Sequence, residues 1–99
     1  MSYELSKKMP DCISKFVDTA CELSVILGKA PVSLSRNGRV LAWDNEDGKG
    51  GYFMDLVLQD DGKTEAFFGE HTNPSKAYKA IGYCRFHDVE VKLEWETVR

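Results

Sequence analysis

The sequence has little positive charge to offer a phosphate backbone. Its 13 Lys and Arg residues are outnumbered by 16 Asp and Glu residues, which gives a formal net charge of −3 at pH 7. Proteins that bind nucleic acids usually cluster Lys and Arg on one face or along one helix. The charge balance therefore argues against nucleic-acid binding.

Cysteine is also scarce, and its 3 copies make an odd number. Small secreted domains that depend on disulfides usually carry more cysteines, in even numbers. No apolar run approaches the ~20 residues of a membrane-spanning helix. The first ten residues also lack the apolar core of a signal peptide. We therefore expect a cytoplasmic protein that does not insert into a membrane.

What the sequence does contain is enough apolar material for one core. Its 99 residues are 42% hydrophobic and 11% aromatic, a composition typical of a globular protein. A chain of this length buries roughly 65% of the surface that its unfolded form exposes. We expect a single domain over residues 1–99 that folds without a metal or a cofactor.

The first predicted element is a helix from Pro10 to Leu27, preceded by a frayed segment over residues 1–8. Proline is tolerated in a first turn, and Gly28 is a natural C-terminal cap. Spacings of three and four predict one apolar stripe, formed by Met9, Ile13, Phe16, Val17, Ala20, Leu23 and Leu27. The opposite side would carry Lys15, Asp18, Thr19 and Glu22.

A first β-hairpin is predicted for residues 32–43, because Asn37-Gly38 lies between two apolar stretches. This dipeptide favours a two-residue type I′ turn. The turn would pair Leu34 with Leu41 and Val32 with Trp43, which places four large apolar side chains on one face. The charged, glycine-rich stretch over residues 44–51 predicts a loop.

A second β-hairpin is predicted for residues 52–68, with residues 60–62 as its loop. In this register Gln59 faces Lys63, and Gly62 takes the left-handed conformation of a G1 bulge. One face of the hairpin then carries Met54, Leu56, Leu58, Ala66 and Phe68. The other face carries Phe53, Asp55, Val57, Glu65 and Phe67.

The alternative register uses Asp61-Gly62 as a two-residue loop. It pairs Gln59 with Thr64 and sets Leu58 opposite Glu65. A slip of one residue moves the whole apolar set of a strand to the other face. We prefer the three-residue loop, because only this register gives one nearly pure apolar face.

The last third of the chain predicts a short helix followed by a strand. Asn73 would cap a helix that starts at Pro74, runs to about residue 81 and is closed by Gly82. Its apolar residues are Ala77, Tyr78 and Ile81. Strict alternation over residues 89–97 is typical of an antiparallel strand with one face in water.

The predicted fold class is therefore α+β. We expect an antiparallel sheet of about five strands. One long N-terminal helix packs on a face of this sheet, and a short second helix precedes the last strand.

Metal and nucleophile signals are weak. Cys84 and His87 are the only close pair of soft ligands, whereas a zinc site uses three or four. A cysteine nucleophile needs a neighbouring base and an orienting group. On a strand these two side chains would point to opposite faces, whereas on a helix their spacing would be workable. With no further ligand or glycine-rich elbow nearby, we expect neither a metal site nor cysteine catalysis.

Asp55 is the best candidate for acid–base chemistry. It lies between Phe53 and Val57 on one strand face, and a carboxyl group in apolar surroundings has a raised pKa. His71 follows the same hairpin and would complete an acid–base pair. The competing interpretation, which we prefer, is a rim aspartate that discourages aggregation.

Three functions are compatible with these features. The preferred one is a non-enzymatic interaction module that self-associates or binds a protein partner through the sheet, using Phe53, Val57 and Phe67. A single helix covers only one sheet face, so this apolar surface needs another cover, for which we favour a homodimer. The alternatives are a minor enzyme using Asp55 and His71, and a ligand pocket between helix and sheet. That pocket would be lined by Phe16, Trp43, Tyr52 and Trp95.

Overall fold

The computed structural model describes residues 3–44, 52–69 and 74–93, with side chains from residue 11 onward and without that of Tyr52. Its elements are α1 (Tyr3–Leu27), β1 (Ser33–Leu34), β2 (Val40–Asp44), β3 (Tyr52–Leu58), β4 (Thr64–Phe68), α2 (Pro74–Phe86) and β5 (Glu90–Leu93). The strands form one sheet in the order β1-β2-β3-β4-β5. The predicted α+β class, with a mostly antiparallel sheet and the N-terminal helix packed on it, is confirmed.

Helix α1 begins at Tyr3, so the prediction of a frayed segment is wrong for residues 3–8. Residues 1 and 2 lie outside the described residues. Pro10 lies inside the helix instead of in its first turn. Its ring removes one intrahelical hydrogen bond, at a cost of about 3 kcal/mol. Leu5, Lys7 and Lys8 favour the helical state, and the helix continues on both sides of the proline.

The end of α1 is as predicted. Gly28 has φ +77°, and its N–H donates to the carbonyl of Val25 at 3.2 Å. The N–H of Lys29 donates to the carbonyl of Ser24 at 3.0 Å, which completes a Schellman cap. Lys76 of α2 adds a hydrogen bond from Nζ to the Leu27 carbonyl at 3.0 Å. The negative end of the α1 dipole is thus balanced by a residue from the other helix.

The buried side of α1 is rotated from the predicted stripe. Thr19, expected on the polar side, is 3% exposed, whereas Ile13 and Val17 are 44% and 47% exposed. The buried side of α1 is rotated because α2 packs beside α1. Burial, and then acidic groups including Glu22, raise the pKa of Tyr83 on α2. The flank of α1 expected to face water therefore faces α2.

The register of the central hairpin is confirmed. Met54 pairs with Phe68, the N–H of Gln59 donates to the Lys63 carbonyl at 2.8 Å, and Gly62 has φ +88°. The predicted apolar face is buried at every position, by Met54, Leu56, Leu58, Ala66 and Phe68. The two-residue loop is thereby excluded.

The first hairpin has the predicted register but another turn. Leu34 pairs with Leu41. Asp88 is the only non-glycine residue with positive φ in the part of the chain that the structure describes, so Asn37 does not have a type I′ conformation. The loop is longer because the Ser35 hydroxyl accepts hydrogen bonds from the N–H groups of Arg39 and Val40, at 3.2 and 3.0 Å.

Strand β1 has only two residues, and its apolar side chains are not covered. Ser33 pairs with Ala42 and Leu34 with Leu41, while Val32 lies outside the strand. Val32 and Leu34 are 55% and 60% exposed. The helices pack mainly against β3, β4 and β5, which explains why this end of the sheet remains open.

Helix α2 starts at Pro74 as predicted but ends at Phe86, so the expected stop at Gly82 is wrong. Its buried stripe, Ala77, Ala80, Ile81 and Cys84, continues through the glycine. Tyr78 is 64% exposed and belongs to the outer side. Asp88, with φ +60°, closes the helix, and the Val89 N–H donates to the Cys84 carbonyl at 2.8 Å.

Strand β5 pairs with β4 in parallel, which corrects the expected antiparallel strand. Helix α2 forms the crossover that parallel neighbours require, because it returns the chain to the end at which β4 began. The predicted cap at Asn73, the loop over residues 45–51 and the continuation of β5 over residues 94–97 lie outside the described residues.

Candidate functional site

Both helices join the core on the Met54 and Leu56 side of the sheet, and no described helix packs on the other side. This other side, here called the open face, is set by strand alternation and register. Its residues are Ser33, Val40, Ala42, Phe53, Asp55, Val57, Glu65, Phe67, Glu90 and Lys92. The three residues predicted as an interface, Phe53, Val57 and Phe67, thus share one face.

These three residues differ in burial. Val57 and Phe67 are half-buried, as are Val40 and Ala42 beside them. Phe53 is only 5% exposed and belongs to the buried set. The apolar surface that the open face offers to a partner is therefore centred on Val57 and Phe67, with a smaller area than three exposed side chains would give.

Acidic groups surround this apolar centre. Asp55 lies between Ala42 and Phe67 in register, and Glu65 pairs with Glu90. Among the described residues, Lys92 is the only basic residue of the open face, and its Nζ lies 3.3 Å from a Glu90 oxygen. A shallow depression of about 400 Å³ continues the acidic surface to the β3–β4 turn. Its lining is Gln59, Asp60, Asp61, Lys63, Glu65 and Glu90.

The structure describes only one member of the predicted acid–base pair. Asp55 is half-buried at the middle of the open face and takes part in interactions there. His71 lies outside the described residues. A catalytic role for the pair stays a prediction.

Cys84 lies on α2 and faces the core, so of the strand and helix alternatives the helix is correct for this residue. It is completely buried, and burial raises the pKa of its thiol to about 12. A reactive thiolate is therefore disfavoured. His87 is exposed, with its ring centroid 4.3 Å from that of Tyr83. Among the described residues, no group of three or more His, Cys, Asp or Glu side chains is arranged to hold a metal ion.

The predicted ligand pocket falls within packed core where the structure describes it. Phe16 and Trp43 are 4% and 0% exposed, and the Trp43 indole donates to the Lys29 carbonyl at 3.1 Å. Neither residue lines either of the two described cavities. The side chain of Tyr52 and all of Trp95 lie outside the described residues.

A second cavity has no counterpart in the sequence analysis. It is an open groove of about 620 Å³ where α1, the β3–β4 turn, the end of α2 and the start of β5 meet. We call it the charged groove. Its lining is Lys15, Gly62, Lys63, Thr64, Arg85, Asp88, Val89, Glu90 and Val91. Sequence spacing does not reveal it, because its charged residues come from distant segments.

Within the described ranges, neither helix has the length and apolar character needed to cross a membrane. Comparison of the chain with models of protein families, with curated proteins and with solved structures finds no match. The open face and the charged groove are therefore the features of the molecule that bear on its function.

Proposed function

We propose that the chain is a non-enzymatic interaction module that binds a protein partner through the open face. The observation that supports this proposal is the one-sided packing of the helices, which leaves half-buried Val57 and Phe67 without a described helical cover. Apolar side chains in the middle of a polar surface are typical of protein interfaces. We also propose a cytoplasmic location, supported by three cysteines that are all free.

The charges of the open face favour one kind of partner. Among its described residues, the open face carries three acidic residues, Asp55, Glu65 and Glu90, and one basic residue, Lys92. The adjoining depression adds Asp60 and Asp61, with Lys63 beside them. A partner with an apolar centre and a rim of Lys or Arg would complement this pattern. A second copy of the chain would instead bring acidic groups against acidic groups, which disfavours the predicted homodimer through this face.

Selection of peptides from a random display library on the immobilised protein tests the proposal. We expect the selected peptides to combine aromatic or aliphatic residues with Lys and Arg, and to bind more weakly as ionic strength rises. Phe67→Asp should abolish their binding. Leu34→Asp, which adds the same charge at an exposed position outside the open face, is the matched control and should bind normally.

Circular dichroism of Phe67→Asp checks that the variant folds, and Val57→Thr supplies a milder change on the same face. Peptides that bind both variants as well as the wild type would refute the proposal. Sedimentation of the wild type distinguishes the other occupant. A dimer whose mass is halved by Phe67→Asp would replace the basic partner with a second copy of the chain.

A further inference from the structure

The charged groove collects three cations from three separate elements. Lys15 comes from α1, Lys63 from the β3–β4 turn and Arg85 from the last turn of α2. Two acidic residues, Asp88 and Glu90, lie in the same lining. The formal charge of the five is +1, in a chain whose formal net charge is −3.

Besides these charged residues, the groove lining includes Thr64, which carries a hydroxyl group. The residue is 3% exposed, and its hydroxyl oxygen is buried without a hydrogen-bond partner among the described residues. Burying an unpaired hydroxyl costs free energy, and valine has almost the same shape without that cost. A buried polar atom without a partner often marks the place of a bound water or ligand.

We propose that the charged groove binds the anionic end of a small molecule, through a phosphate or carboxylate group. Lys15, Lys63 and Arg85 supply positive charge. The Thr64 hydroxyl, turned towards the groove by rotation of its side chain, donates a hydrogen bond to an anionic oxygen. The groove is several times larger than such a group, so it has room for the rest of the ligand. Asp88 and Glu90 repel polyanions and accept hydrogen bonds from that remaining part.

Anion binding in the charged groove does not depend on the proposed protein partner, although Glu90 belongs to both surfaces. Thr64 pairs with Leu58 on the helix-covered side of the sheet, and Lys15 belongs to α1. Variants of these two residues leave Val57 and Phe67 unchanged. Loss of anion binding and loss of peptide binding are therefore separable results.

Amide chemical shifts and thermal midpoints measured during titration with inorganic phosphate, and separately with acetate, test the proposal. Sodium chloride at equal ionic strength is the reference. We expect saturable shifts at Thr64, Arg85 and Val89, with a rise in midpoint for at least one of the two anions. A response to phosphate alone assigns a phosphorylated ligand, and a response to acetate alone assigns a carboxylate.

Three variants sharpen this test. Thr64→Val should weaken anion binding about tenfold or more and raise the thermal midpoint of the free protein, since the unpaired hydroxyl is gone. Lys15→Gln should weaken binding several-fold. Lys79→Gln, an exposed lysine of α2 outside the groove lining, should bind like the wild type.

Three results would overturn the proposal. Phosphate and acetate titrations that match chloride would show that the groove has no anion site. Unchanged anion affinity in Thr64→Val would remove the hydroxyl from the site. A lower thermal midpoint for anion-free Thr64→Val would mean that a water molecule already bonds this hydroxyl in the folded protein. The hydroxyl would then not be available to a ligand.

Discussion

The two β-hairpin turns share their local chemistry and differ in their surroundings. Each contains an Asn or Asp followed by a glycine with positive φ, +74° at Gly38 and +88° at Gly62. In each, the side-chain oxygen accepts a hydrogen bond from the residue after the glycine, at 3.1 Å from Asn37 and 3.0 Å from Asp61. The short-range sequence therefore specifies the same glycine conformation twice.

The difference lies in what each turn meets. A Cβ atom added at Gly62 would lie 2.7 Å from Cys12 Sγ on α1, whereas one added at Gly38 would meet nothing within 4 Å. The β3–β4 turn thus lies against the helix, whereas the β1–β2 turn has no neighbouring atom at its glycine among the described residues. Similar local sequences can contribute very differently to stability, because only the glycine of the β3–β4 turn packs against a helix.

The largest expected difference in stability between the hairpins concerns one leucine from each, Leu34 and Leu56. Leu56 is 0% exposed and Leu34 is 60% exposed, although both lie on the helix side of the sheet. Leu56→Ala should lower the free energy of unfolding by about 3 kcal/mol, because it leaves a cavity in the core. Leu34→Ala should lower it by less than about 0.5 kcal/mol. Urea denaturation of both variants measures this contrast, and similar losses would contradict it.

A smaller difference is expected at the two turn glycines. Gly38→Ala should cost about 1 kcal/mol, because alanine is strained at positive φ. Gly62→Ala carries the same strain and adds the contact with Cys12, so it should cost at least about 2 kcal/mol. Chemical denaturation of the two variants gives the comparison directly.

Cys12→Ala provides the control for the second cost, because it removes the sulfur but keeps the helix. Combined with Gly62→Ala, it should recover part of the lost stability, and the double-mutant cycle should give a clear interaction energy. Combined with Gly38→Ala, it should be additive. Additivity in both pairs would show that the sulfur contact is not what distinguishes the turns.

The smallest expected effect concerns the ion pair that links the two turns. Arg39 Nη1 lies 2.6 Å from Asp60 Oδ1, but the Asp60 side chain is fully exposed. Water and salt screen such a pair strongly. Asp60→Asn should therefore leave the urea midpoint unchanged at low and high ionic strength. A loss of stability at low salt that disappears at high salt would show that the pair does couple the turns.

The hairpins also show how much of the fold can be predicted. Alternation and glycine position predict both registers, because each is a local property of a short segment. The turn type at Asn37-Gly38 is missed, since the hydroxyl of Ser35 competes for the backbone N–H groups. The parallel pairing of β5 is missed as well, because it depends on where α2 returns the chain.

The functional surfaces also contain some features that the local sequence predicts and others that depend on tertiary packing. The grouping of Phe53, Val57 and Phe67 follows from strand periodicity, so it is predictable. The burial of Phe53 is not, because periodicity does not show which side chains become covered. The charged groove is invisible in the sequence, since Lys15, Lys63 and Arg85 converge only after α1, the hairpin and α2 have packed together.

The parallel strand β5 also has a consequence for how the chain reaches its native state. The strands of each hairpin are close in sequence, whereas Ala66 of β4 must find Val91 across the whole of α2. Closing a longer loop costs more entropy, so we expect β5 to join the sheet last. Until then, β4 is an edge strand with unpaired backbone groups, open to pairing with other chains. The final folding step therefore also protects the protein from aggregation, and refolding yield should fall as protein concentration rises.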